Sequence, residues 1–323
     1  MNYAYQTIAH NTITVHDPND TIPAPRNDEP PRLIANDGGQ RRIGSGWGIE
    51  SAPLDLNEWM QKRDIYHTGT MEKVFTEDGL VIAVADLTPA YTNIESGKGT
   101  FSHRTRRVEQ FIRTFGFDQI TGATLIFDRV KSSSPDFRKR WLYHSIEKPE
   151  LTHYGYTVEQ SGKERISSLG KSRLDAHVLL PRIPDIAVVG GPGFEFHVEG
   201  NNFDEGGKTL QAIKKKKTPV EAGNWRVELS PSAKAQDDLF MVMLLPHKTS
   251  GQPPYQVRLL EEGSRIGCEI VSPGKTTRWW FDSSHHGPMV EVIADDGGHR
   301  THDVRIDAGD SKPILHQEPA DIR

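Results

Sequence analysis

The chain has 323 residues, 35% of them hydrophobic, with 29 glycines, 21 prolines and one cysteine, Cys268. A net charge of −5 and a pI of about 6.3 argue against a general affinity for nucleic acid or anionic membranes. No apolar run approaches the roughly 20 residues of a membrane span, and a lone cysteine excludes an internal disulfide.

The first six residues, Met1 to Gln6, have neither a basic n-region nor an apolar h-region, so no signal peptide is expected in this chain. Thr12 to Val15 is short and β-branched, which predicts a strand stopped by Asp17-Pro18-Asn19-Asp20. Residues 20 to 60, rich in Pro, Gly, Asn and Asp, read as a long loop with one brief strand near Leu33. Leu56 to Lys62 is the one stretch suited to a short helical turn.

From Gly79 onward the periodicity predicts strands over Leu80–Ala85, Val108–Arg113, Ala123–Val130 and Trp141–His144. Tyr154–Gln160 and Glu164–Leu169 flank Ser161-Gly162-Lys163, a hairpin signal. Arg173–Leu180 and Phe194–Glu199 continue the pattern. Lys214 to Lys217 followed by Thr218-Pro219 is the sharpest composition break. Beyond it come Trp225–Leu229, Leu239–Leu245, a hairpin around Glu262-Gly263, Trp279–Phe281 and Met289–Ile293. The fold class expected is all-β: a large antiparallel β-sandwich over 1–220, lacking its first strands, a smaller β-sandwich over 221–310, and a disordered tail over 311–323.

Few residues declare chemistry. There is no Walker, dinucleotide or G-x-S-x-G motif, and Pro192 with a following strand removes Gly190–Gly193 as a phosphate cradle. His285-His286 reads as a surface loop whose rings point to opposite faces. His67, His103, His144, His153, His177 and His197 show no ligand spacing. Trp279-Trp280 predicts one core ring and one exposed ring, the latter a sugar-stacking candidate. Lys214–Lys217 reads as a solvated loop, and Arg104, Arg106 and Arg107, or Arg138, Lys139 and Arg140, each as a polar sheet face. Asn11 is expected to bond nearby backbone.

Three segments together resemble the heparinase II/III-like polysaccharide lyases. They are Ile8-Ala9-His10-Asn11-Thr12-Ile13-Thr14-Val15, then Arg106-Arg107-Val108 leading to Leu125-Ile126-Phe127-Asp128-Arg129-Val130, then Trp141-Leu142-Tyr143-His144. Asn36 to Arg41 and the two-part layout are similar to the heparinase II branch. The resemblance implies the β-sandwich portion of an enzyme whose N-terminal α/α toroid carries the catalytic Tyr and its Asn or His partner. It also implies β-elimination at a uronic acid and a structural zinc whose third ligand is His10. No residue of this chain corresponds to the catalytic groups or to the other two zinc ligands, so the chain alone is expected to be inactive and to expose the surface that would meet the toroid. The implied partners are an acidic polysaccharide, the toroid as a domain or neighbouring subunit, and a second copy as a homodimer. The implied location is periplasmic or secreted. The alternative from another class is a non-catalytic carbohydrate-binding or scaffolding β-sandwich module.

Overall fold

A computed structural model describes residues 7–17, 22–23, 33–34, 38–40, 53–92, 107–160, 171–192, 194, 197–198, 201–202, 224–249 and 255–308. After a 3-10 turn at Thr7–Ala9, the described elements begin with β1 (Ile13–His16), β2 (Ile22–Pro23), β3 (Leu33–Ile34), α1 (Leu56–Gln61) and α2 (Arg63–Tyr66). Next come β4 (Thr70–Glu77), β5 (Leu80–Asp86), α3 (Pro89–Thr92), β6 (Val108–Asp118), β7 (Thr124–Ser132), β8 (Arg138–Ser145), β9 (Glu150–Thr152) and β10 (Gly155–Glu159). They continue with β11 (Ser172–Leu180), β12 (Pro184–Gly190), β13 (His197–Val198), β14 (Asn201–Asn202), β15 (Trp225–Pro231) and β16 (Asp237–Lys248). The last are β17 (Gln256–Glu262), β18 (Arg265–Ser272), β19 (Lys275–Phe281), β20 (His285–His286), β21 (Met289–Ala294), β22 (His299–Asp303) and β23 (Ile306–Asp307). The expected all-β class holds.

Three sheets carry the architecture. A four-stranded sheet has the order β1-β8-β15-β12, an eight-stranded sheet β4-β5-β6-β7-β16-β11-β10-β9, and a five-stranded sheet β17-β18-β19-β21-β22. The pairings within them are antiparallel. The eight-stranded sheet lies in the middle, and its central strands are buried on both faces. Phe240 and Val242 of β16 join Ile13, Val15, Trp141, Val227 and Leu229 of the four-stranded sheet in one core. Met241, Met243 and Leu245 join Cys268, Ile270, Trp279, Phe281 and Val290 of the five-stranded sheet in the other. Alternate side chains of one strand leave by opposite faces, which is why Leu239–Leu245 is an unbroken apolar run.

The strand pairings refine the layout expected from composition. β15 and β16 lie beyond residue 220, yet they pair with β8 and β12 and with β7 and β11. The strands on either side of the break at Lys214–Lys217 therefore share sheets, and those four lysines lie outside the described residues. The five-stranded sheet, in turn, uses the reverse face of the central sheet as its packing partner. Phe127 of β7 stacks on Phe281 of β19 with ring centroids 3.9 Å apart. Gly116 of β6 lies under Trp279, and a Cβ there would meet the indole at 2.5 Å. The hairpin expected at Ser161–Lys163 and its second strand, Glu164–Leu169, lie outside the described residues; β10 pairs with β11. Among the described residues no helix is long and apolar enough to cross a membrane.

A shared core predicts shared unfolding. Phe281→Ala should cost about 3–5 kcal/mol and lower the midpoint of a single denaturant transition followed by both tryptophan fluorescence and far-UV circular dichroism. Two separate transitions, with only one displaced, would mean that the five-stranded sheet is an independent unit.

Candidate functional site around the His10 turn

The turn that carries His10 is built by its neighbours. Ile8 is fully buried and anchors it. The His10 amide donates to the Thr7 carbonyl at 3.0 Å, and the Thr12 amide donates to the His10 carbonyl at 2.9 Å. The chain is thereby folded outward at His10 and Asn11, both exposed, before it enters β1. β1 is an edge strand of only four residues. Tyr91 ties it down through its hydroxyl, which donates to the Ile13 carbonyl, and the Val15 amide donates to the Gly38 carbonyl at 2.7 Å. Burial pushes the Tyr91 phenol up to about 12, so it remains a donor.

Three distant stretches of sequence meet at this turn. The Asn11 side-chain oxygen accepts the backbone N–H of His144 at 2.8 Å and lies 3.0 Å from that residue's Nδ1. The Asn11 carbonyl accepts from Arg113 at 3.4 Å. Arg113 in turn forks onto Asp128 at 2.6 and 2.7 Å. The Asp128 side chain is completely buried, so this pair is held where breaking it is costly.

His144 lies on the outer face of the four-stranded sheet, directly across from Arg226. Burial, then the Arg226 guanidinium, holds its imidazole down to about 4. The ring is consequently neutral at neutral pH. Arg226 is itself committed, donating to Glu228 at 2.6 Å and to the His197 carbonyl at 2.7 Å. Arg140 lies 3.5 Å from Glu228. The turn thus offers two exposed polar side chains, His10 and Asn11, over guanidinium groups that already have carboxylate partners. Such an arrangement suits hydrogen bonding to a polar ligand.

Of the residues singled out from the sequence, Asn11 does bond backbone, but that of a residue 133 positions away. Trp279 is in the core and Trp280 on the outer face, as the alternation requires. The polar face expected over Arg138–Arg140 is overturned: only Arg138 is exposed, while Lys139 and Arg140 are buried on opposite sides of β8. Lys139 reaches Asp238 at 2.6 Å and the Ala235 carbonyl at 2.7 Å. The surface loop expected at His285-His286 is a short strand paired with β23. His286 is buried against Glu72 at 2.8 Å, because a bulge in β4 between Met71 and Lys73 places that carboxylate outside the regular register. Arg104, Arg106 and His103 lie outside the described residues. Among the described residues no three His, Cys, Asp or Glu side chains come together in a metal-holding group, so these residues do not by themselves fit a zinc shell.

The Arg113–Asp128 pair was missed in the sequence. The available signal was hairpin register: the two oppositely charged residues stand opposite each other in β6 and β7.

No protein-family profile matches the sequence, and no curated protein matches it. Among solved structures, the chain is similar to a heparan sulfate lyase HepC mutant from Pedobacter heparinus, with a TM-score of 0.38 and 12% identity over 81% of this chain and 32% of that one. It is similar to a heparinase III with a TM-score of 0.39 and 7% identity, over 66% of this chain and 27% of that one. A further heparinase III gene product gives a TM-score of 0.40 and 11% identity, over 77% and 35%. The chain spans about a third of the length of these proteins.

Two measurements probe the site. Asp128→Ala should destabilise the fold by about 3–5 kcal/mol, since it strands the Arg113 guanidinium; urea titration reads this directly. For His144 the folded pKa lies below the unfolded one, so the unfolded state binds the extra proton between them. The stability it contributes is complete above about pH 6.5 and is lost as pH falls toward about 4. His16 and His177 are also lowered, chiefly by burial, and act in the same direction. Melting curves of wild type and His144→Gln from pH 7 to 4 should therefore converge as pH falls; parallel curves would contradict the burial of a neutral ring.

Proposed function

We propose that this chain is the β-sandwich portion of a heparinase II/III-like polysaccharide lyase acting on a uronate-containing polysaccharide, with the catalytic toroid supplied by another part of the protein or by a neighbouring subunit. One observation carries this reading. The three segments that resemble the family, around His10-Asn11, Asp128 and His144, converge on one exposed turn through Asn11 and Arg113.

In such a lyase the proton on C5, α to the uronate carboxylate, is removed by a base. The C5 electron pair forms the C4–C5 double bond as the C4–O4 bond breaks, and O4 takes up a proton. Neutralising the uronate carboxylate is the main electrostatic task, and positioned acid–base groups contribute roughly 10²–10⁴-fold each. In this reading the His10 turn forms the sandwich side of the cleft. Asn11 and neutral His144 fix its geometry. His10 also contributes to a structural zinc whose remaining ligands come from outside the described residues, and no step of the elimination passes through that metal. The exposed side chains of Leu54, Leu56 and Met60 on and before α1 supply apolar area for the adjoining domain. Action on an extracellular polysaccharide implies a periplasmic or secreted protein.

The test uses the full product of the open reading frame encoding this chain, incubated with heparan sulfate, heparin and alginate. Accumulation of unsaturated uronate, detected by its ultraviolet absorbance, is the expected result, with this chain alone giving none. If no unsaturated product forms from any of these polysaccharides, the lyase reading fails.

A further inference from the structure

The outer face of the five-stranded sheet carries a row of charge that crosses four strands. Arg258, Glu269, Arg278 and Glu291 stand opposite one another in register on β17, β18, β19 and β21. Arg258 and Arg278 each donate to one oxygen of Glu269, at 2.6 and 2.7 Å, and Arg278 lies 3.5 Å from Glu291. The adjacent row holds Leu260, Gly267 and Trp280. Because Gly267 has no side chain, the Trp280 ring rests close to the β18 backbone: a Cβ at Gly267 would stand 3.2 Å from the indole. Together these groups line an open depression of about 570 Å³.

Trp280 contributes to neither core. One guanidinium already occupies the aromatic surface: Arg265 lies 5.0 Å from the ring centroid. An exposed cation–π contact is weak enough for another ring to replace it. We propose that this Trp280 shelf binds a neutral saccharide. A pyranose stacks its C–H face on the indole while adjacent hydroxyls bond the forked donors and acceptors of Arg258, Arg278 and Glu291. The depression is open, so it would take one face of a sugar and not enclose it.

Charge selects neutral over acidic sugars. Arg258, Arg265 and Arg278, with the Arg182 that pairs with Glu261, are balanced by Glu261, Glu262, Glu269 and Glu291. A uronate or sulfate would find no net positive field. The shelf also lies on the opposite side of the three-layer structure from the His10 turn, so it is independent of the lyase reading.

Affinity electrophoresis of the full chain tests the shelf, with hydroxyethylcellulose, xylan and galactomannan as neutral probes and heparin and alginate as acidic ones. At least one neutral polymer should retard the protein, and Trp280→Ala should weaken that retardation about tenfold or more. Trp280→Phe should retain it, Arg265→Ala should leave it equal or stronger, and His10→Ala should not change it. Arg258→Ala, at a side chain that is 65% exposed, should weaken it without disturbing the fold, which covers the case in which Trp280→Ala does not fold. Retardation by acidic polymers alone, by no polymer, or undiminished in folded Trp280→Ala or in Arg258→Ala would overturn the proposal. Failure of the lyase assay would leave it standing.

Discussion

Burial of the central strands of the eight-stranded sheet on both faces is the constraint on which everything else depends. Each fully buried large apolar side chain is worth about 1.5–3 kcal/mol relative to exposure, and β16 places three on one side and two on the other with no polar residue between Leu239 and Leu245. The four-stranded and five-stranded sheets then each need only one apolar face. Charge gathers on their opposite faces: Arg140, His144, Arg226 and Glu228 on one, where Arg140 and Arg226 are themselves buried, and Arg258, Glu269, Arg278 and Glu291 on the other.

The same constraint explains why charged groups appear inside. A core that meets sheets on both sides has little room for water, so a charge placed there must bring its own partner. Arg113 does so with Asp128, and Lys139 with Asp238. The first pair stands where the central sheet meets the end of β1, and its guanidinium reaches the Asn11 carbonyl. A four-residue edge strand would otherwise be weakly held. The buried Tyr91 hydroxyl, the Gly38 carbonyl and Arg113 stand in for the second strand neighbour that β1 lacks among the described residues, and so hold the His10 turn in place.

Much of the fold was legible because it is local. The alternation in Leu125–Val130, the short apolar stretch Trp141–His144 and the turn at Glu262-Gly263 each mark their elements, and adjacent Trp279 and Trp280 had to leave by opposite faces. What was missed is not local. β4 exposes Met71 and Val74 and gives no clean alternation, so this edge strand carries no sequence signal of its own. β12 carries a similarly weak signal: it has no fully buried residue and Ile186 packs only partly buried against the core. A boundary near residue 220 rests on composition alone, whereas β15 and β16 belong with their pairing partners upstream. Lys139 and His286 looked like surface residues because the carboxylates that hold them, Asp238 and Glu72, are far away in sequence. The candidate site shares this character: its segments could be picked out singly, but only the fold brings Asn11, Arg113 and His144 together.

The layered arrangement also limits how two polar faces can cooperate. Stacked sheets lie about 10 Å apart, so outer faces separated by a middle layer stand at least ~20 Å apart and look in opposite directions. A single short oligosaccharide cannot occupy the His10 turn and the Trp280 shelf together. A long polymer, or a polymer bearing acidic and neutral stretches, can occupy both, and the second contact then forms at the effective concentration set by the intervening sugar chain. The shelf would hold the protein on a matrix without competing for the cleft, because its charge balance turns away the uronates that the other face is proposed to receive. Recognition at the two faces would then differ in kind: stacking and neutral hydroxyl contacts at one, and compensation of a carboxylate by the completed cleft at the other.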